Sequence, residues 1–218
     1  MDIARVYLES GDAPAALKWL EKAPSDQGHY AAERDELLFE VLGTLGDRAG
    51  QADTAWRMFR SSRSLPSLER LLTVLGPGER ERVVAEEVTA ILAGGRFSLG
   101  DAAFLVAAEQ FDAAENYLFT HAGALNGDHY TFLVPLAGAM EKEGHHLCAS
   151  LLYRALLDSI LQRAQSKAYP HGVRYLKKLD LLAGGIADWR TLESHAAYKA
   201  GLMEHHGRKS SFWSRYGT

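Results

Sequence analysis

The sequence holds a single cysteine, Cys148, in 218 residues. That rules out an intrachain disulfide and any zinc site built on paired thiolates. Val, Ile and Thr together number only 21, thin material for a β-sheet. No apolar run approaches the ~20 residues that span a bilayer. The opening Met1-Asp2-Ile3-Ala4-Arg5 has no apolar signal core, so a cytoplasmic chain without a membrane partner is expected. No Walker loop, GxGxxG, GxSxG or HExxH occurs. Charge of one sign is also lacking: 24 Lys and Arg stand against 28 Asp and Glu, a net charge of −4. That balance argues against a uniformly basic nucleic-acid binder.

What is abundant is helix-forming material. Ala and Leu make up 63 residues, and both are strong helix formers. Apolar residues recur with a helical period, as at Val84, Val88, Ile91 and Leu92. Leu147, Leu151, Leu156, Leu157, Ile160 and Leu161 predict a helix apolar almost all round, hence central and buried. Cys148 in that run reads as a small core residue. Gly- and Pro-rich breaks, at Gly11-Asp12, Pro24 to Gly28, Ser61 to Pro66, Gly76-Pro77-Gly78, Gly94-Gly95, Gly123 to His129, Lys167 to Pro170 and Gly184-Gly185, predict short turns between helices.

The helices are expected in pairs. Ala4, Tyr7, Gly11-Asp12, Ala16, Leu20 and Ala23 resemble a tetratricopeptide unit, in which a small residue lets two helices approach. Further copies run through Phe39, Leu42, Gly43, Gly50, Ala55 and Phe59; through Ala102, Leu105, Ala114 and Leu118; and through Leu133, Leu136, Ala137, Gly144, Ala149 and Tyr153. An extra pair is expected near 67–75 and 79–93. The expected fold is all-α, an irregular array of antiparallel helix hairpins (a tetratricopeptide-like solenoid) over 1–165. A basic, aromatic-rich helical cap over 166–218 completes one continuous domain.

Charge is uneven. Residues 163–218 carry a net +6 and the rest −10. In the basic part, one helix is expected from about Pro170 to Ala183 and another from about Thr191 to His206, with Phe212-Trp213 docking on them. Arg174, Lys177, Lys178, His195, Tyr198, His206, Arg208 and Lys209 are the candidate binding residues. His195, His205 and His206 lack the companions and spacing of a metal site. His145-His146 at a turn, and the carboxylate pairs Glu86-Glu87 and Glu141 with Glu143, are expected to be solvated. No catalytic residue, metal or cofactor is assigned.

The stretch Tyr169-Pro170-His171, Arg174-Tyr175-Leu176, Asp188-Trp189, His195-x-x-Tyr198 and His206-Gly207-Arg208-Lys209-x-x-Phe212-Trp213 resembles an uncharacterised bacterial helical family. Related C-terminal segments occur in bacterial proteins with SWIM-type zinc fingers, whose paired cysteines are absent here. The resemblance implies an all-helical, repeat-like fold and no defined activity. The function expected is a non-enzymatic scaffold for a protein or peptide partner. Two alternatives stand beside it. One is nucleic-acid binding by the basic surface; the other is an enzyme using His195, Tyr198, His206 and Arg208.

Overall fold

The computed structural model describes residues 2–22 and 28–217. The break expected from Pro24 and the anchor Ala23 lie outside the described residues. The elements in order are α1 (Asp2–Glu9), α2 (Ala13–Lys22), α3 (Gly28–Leu45), α4 (Arg48–Ser61), α5 (Leu65–Leu75), α6 (Arg80–Ala93), α7 (Leu99–Ala107), α8 (Phe111–Thr120), α9 (Tyr130–Lys142), α10 (His146–Gln162), α11 (Tyr169–Ala183), α12 (His195–His206) and α13 (Ser210–Tyr216). No strand occurs among the described residues, so the chain is all-helical. None of these helices is long and apolar enough to cross a membrane. The chain divides into two compact units, Met1–Glu87 and Val88–Thr218.

Four helix pairs end their first helix in the same way. Gly11, Gly46 and Gly144 have positive φ, and Glu109 takes the same left-handed conformation with φ 60°. At each, two backbone N–H groups close the helix. The Gly11 N–H donates to Leu8 and the Asp12 N–H to Tyr7; at the others the acceptors are Gly43 and Leu42, Val106 and Leu105, and Glu141 and Met140. This is the Schellman arrangement, which satisfies carbonyls that a helix end would leave bare. Asp12 and Asp47 then cap the next helix by accepting from the Ala15 and Gly50 amides.

These turns correct the register expected for the second pair. Gly50, which stands five residues before Ala55 as Gly11 stands before Ala16, lies inside α4, and the turn is Gly46. The turn residues 11 and 46, and again 109 and 144, are then 35 residues apart. The position five residues after the turn is Ala16, Ala114 or Ala149 in three pairs and Gln51 in the fourth. Gly43 makes room for that larger side chain, since a Cβ there would lie 2.5 Å from Gln51 Nε2. Ala16, Ala55, Ala114 and Ala149 are all buried.

In the first unit α1, α2 and α3 pack around Ala4, Ala13, Ala16, Leu20, Leu37 and Val41. In the second, α7 packs on α9, α8 on α10, and α10 against both α9 and α11. α10 is the centre: twelve of its residues are buried, Arg154 among them.

α13 packs on α11 through Phe212, which is fully buried and meets Tyr169 edge-on at 5.6 Å. Gly172 permits this approach, because a Cβ there would lie 3.1 Å from the Phe212 ring. Phe212→Ala is expected to cost about 3–5 kcal/mol, as for other buried phenylalanines. Urea unfolding checks it; a loss below about 1 kcal/mol would mean that this ring does not anchor the C-terminal helix.

Candidate binding site

The eight sequence-predicted residues do not form one open surface. Arg174 and Lys177 are exposed on α11, with Arg174 Nη2 2.6 Å from His171 Nδ1. Lys178 turns toward α9 and donates to Glu141 Oε1 at 2.7 Å. Tyr153 donates to the other Glu141 oxygen. Burial pushes the Glu141 carboxyl up, but the bonds from Lys178 and Tyr153 outweigh it and hold it below its ordinary value. Glu141 is therefore paired rather than solvated.

His195 and Tyr198 are buried and so belong to no open surface, and Tyr198 instead lines a cavity. His195 opens α12, which begins four residues later than expected, with Ser194 as its cap. Its Nε2 lies 2.8 Å from Asp180 Oδ1, and its Nδ1 is buried without a partner. Asp180 also accepts from Lys199 at 2.9 Å and from the Tyr216 hydroxyl at 2.5 Å. Burial raises the Asp180 carboxyl, yet the bonds from His195, Tyr216 and Lys199 bring it below its ordinary value.

His206 gives its carbonyl to the Trp213 indole, and burial, with Lys209 and His205 nearby, lowers its ring pKa. Arg208 is exposed and Lys209 half-buried. No hydrogen bond joins His195, Tyr198, His206 and Arg208 to one another. His145, expected to be solvated, lies 2.6 Å from Glu115 and stacks on Phe111. Cys148 is buried in the core, and burial raises its thiol. Among the described residues no group of His, Cys, Asp and Glu could hold a metal ion.

Of the residues that do converge, only Tyr198 stands among the candidates from the sequence; those of α10 do not. Leu151, Arg154, Ala155, Asp158, Ser159 and Gln162 line up on one face of α10, at helical spacing, and floor a cavity of about 570 Å³. Its walls are the 122–127 loop, the 191–193 strap and Tyr198.

Arg154 is 6% exposed. Its guanidinium lies between two rings, 4.4 Å from the Tyr198 centroid and 4.9 Å from that of Trp189. Nη1 donates to the Glu193 carbonyl at 3.0 Å. Nε and Nη2, which share the edge that grips carboxylates side-on, are buried and have no acceptor. Burial lowers the Arg154 pKa, but a guanidinium stays charged at neutral pH.

Asp158 lies one turn further along α10 and accepts from the Tyr198 hydroxyl at 2.6 Å. It makes no ion pair with Arg154 within 4.0 Å. Burial pushes its carboxyl above the ordinary carboxylate range, against the Tyr198 bond and the Arg154 charge. Tyr198 is itself raised by burial and by Asp158.

The strap over this site belongs to the segment 186–194, which is tied at Arg190. Arg190 takes φ 48°, its amide held by the Asp188 side chain at 2.8 Å. Its guanidinium reaches Glu115 at 2.9 Å. Trp189 and the Glu193 carbonyl thereby meet Arg154. A sequence signal for the site existed: Arg154 and Asp158 are the two charges inside the apolar run of α10.

Residues 1–215 match a family of unknown function, DUF6880. The chain belongs to that family. The match runs through the first unit and all but the last three residues of the second. No curated protein and no solved structure matches this DUF6880 protein.

Proposed function

We propose that this DUF6880 protein is a non-enzymatic binding module, a stack of tetratricopeptide-like helix hairpins whose binding centre is the cavity over Arg154. The repeated Schellman turns and their 35-residue spacing support the tetratricopeptide-like reading. The binding reading is carried by one observation: Arg154, a residue of the cavity lining, holds two buried N–H donors, Nε and Nη2, that have no acceptor. A buried charge without its hydrogen bonds costs several kcal/mol. An acceptor brought by a ligand removes that cost. The cations of the basic segment are a weaker centre, because Lys178 and Lys199 are already engaged by carboxylates.

The test is a thermal-shift panel on the full chain, with free carboxylates, phosphate esters and amino acids compared between the wild type and Arg154→Gln. A ligand at a hundred times its Kd stabilises by about 2.7 kcal/mol. At least one class is expected to raise the wild-type Tm and leave the variant unmoved. A panel in which no compound separates the two proteins overturns the reading.

A further inference from the structure

Arg154 and Asp158 present opposite charges one helical turn apart, a spacing that puts their Cβ atoms about 5–6 Å from each other. Arg154 is buried and Asp158 half-buried, and they do not pair. Arg154 keeps a free bidentate edge. Asp158 receives one hydroxyl, from Tyr198 on Oδ1, and its second oxygen has no protein donor. We propose that the cavity takes a small zwitterion, in the simplest case a free α-amino acid, with its carboxylate on Arg154 and its ammonium on Asp158. This rests on the binding reading above and names the ligand class.

Charge balance favours this class over its neighbours. A simple anion that reached Arg154 would face the Asp158 carboxylate, and a simple amine on Asp158 would face the guanidinium. A zwitterion answers both charges and adds no net charge beside Glu193, an exposed carboxylate that also belongs to the lining. An α-amino acid carries its two charged groups on one carbon, a short separation that suits two side chains one turn apart. The cavity also offers Asn126, Ser159 and Gln162 for further polar contacts, and Leu125, Leu151 and Leu192 for an apolar side chain. Its volume of about 570 Å³ leaves room for such a side chain.

The free edge of Arg154 is shut off from solvent. A ligand carboxylate therefore reaches it as the guanidinium turns or the 186–194 strap lifts. Either movement changes the stacking of Trp189 on Arg154, so indole fluorescence reports binding from inside the site.

The experiment titrates the full chain with the twenty free amino acids at millimolar concentration, by calorimetry and tryptophan fluorescence. L-leucine is then set against 4-methylpentanoate and 3-methylbutylamine, which keep its side chain and lack one charged group each. At least one amino acid is expected to bind. Its deaminated and decarboxylated analogues are expected to bind at least tenfold more weakly. Arg154→Gln and Asp158→Asn are each expected to weaken binding at least tenfold, with circular dichroism unchanged. Arg154→Lys, which keeps the charge and loses the fork, should fall between.

An acid analogue that binds as tightly as the amino acid overturns the zwitterion and leaves the binding reading standing. Silence from all amino acids, with another class binding through Arg154, does the same. Silence from every compound tested means that water alone fills the site, and overturns both.

Discussion

Removing both Arg60 and Arg63 is expected to destabilise the first unit by about 3–5 kcal/mol, the cost of leaving a buried charge uncompensated. The Glu87 carboxylate has no solvent exposure. Arg60 Nε reaches one of its oxygens at 2.8 Å and Arg63 Nε the other at 2.7 Å. Arg60 is also steadied by Glu86 at 2.6 Å and by the Trp56 ring, 4.4 Å from its carbon. Its pKa is raised by the Glu87 hydrogen bond, with burial opposing. The two arginines thus bring α4, and the residues just after it, against α6.

Arg60→Ala/Arg63→Ala should shift the urea midpoint sharply. Adding Glu87→Leu to that double variant should recover much of the loss, because no bare charge is then left behind. A double variant that loses less than about 1 kcal/mol would mean that water reaches Glu87 and that the pair counts no more than a surface bridge.

The second large effect belongs to Gly127. A Cβ at that position would lie 2.1 Å from the Ala155 carbonyl oxygen and 2.7 Å from Ser159 Cβ. The obstacle is the backbone of α10, which has no rotamer to yield. Gly127→Ala must therefore lift the 122–128 loop from the central helix. The expected cost is at least about 1–3 kcal/mol, the range for overpacking. Gly127 also lines two cavities, the one over Arg154 and a second of about 420 Å³ beside Lys167, His171 and Tyr175.

Gly127→Ala should accordingly abolish any binding that depends on Arg154. Gly123→Ala in the same loop is the control, since a Cβ there meets nothing within 4 Å. Thermal unfolding and ligand titration of the two variants separate the outcomes. Equal behaviour would mean that the loop does not rest on α10 at this point.

Glu87 and Arg154 show where reading along the chain stops. On α6, the Glu86-Glu87 pair looks like any solvated polar face, and half of it is: Glu86 is 44% exposed where Glu87 is sealed. Their separate fates depend on where α4 lies, which no local pattern states. Arg154 and Asp158 were visible as charges in an apolar helix, a pattern that costs free energy unless partners arrive from elsewhere. The partners come from 35 to 44 residues further on, in Trp189, Glu193 and Tyr198. The basic face of α11 failed as a unit for a related reason. Helical spacing places Arg174, Lys177 and Lys178 together, but Glu141 on α9 draws Lys178 away.

The sequence by itself determined that the chain is helical, where most helices stop, and which alanines are buried. These follow from composition, glycine turns and apolar period, all local properties. The register of the second hairpin was open to a local reading, since Gly46-Asp47 repeats Gly11-Asp12, whereas tertiary structure alone decided the burial of Glu87 and the meeting of Arg154 with its strap. Each of those depends on desolvating a charge against a distant segment. The energy of that contact is set by the neighbour's position and not by the order of residues around it.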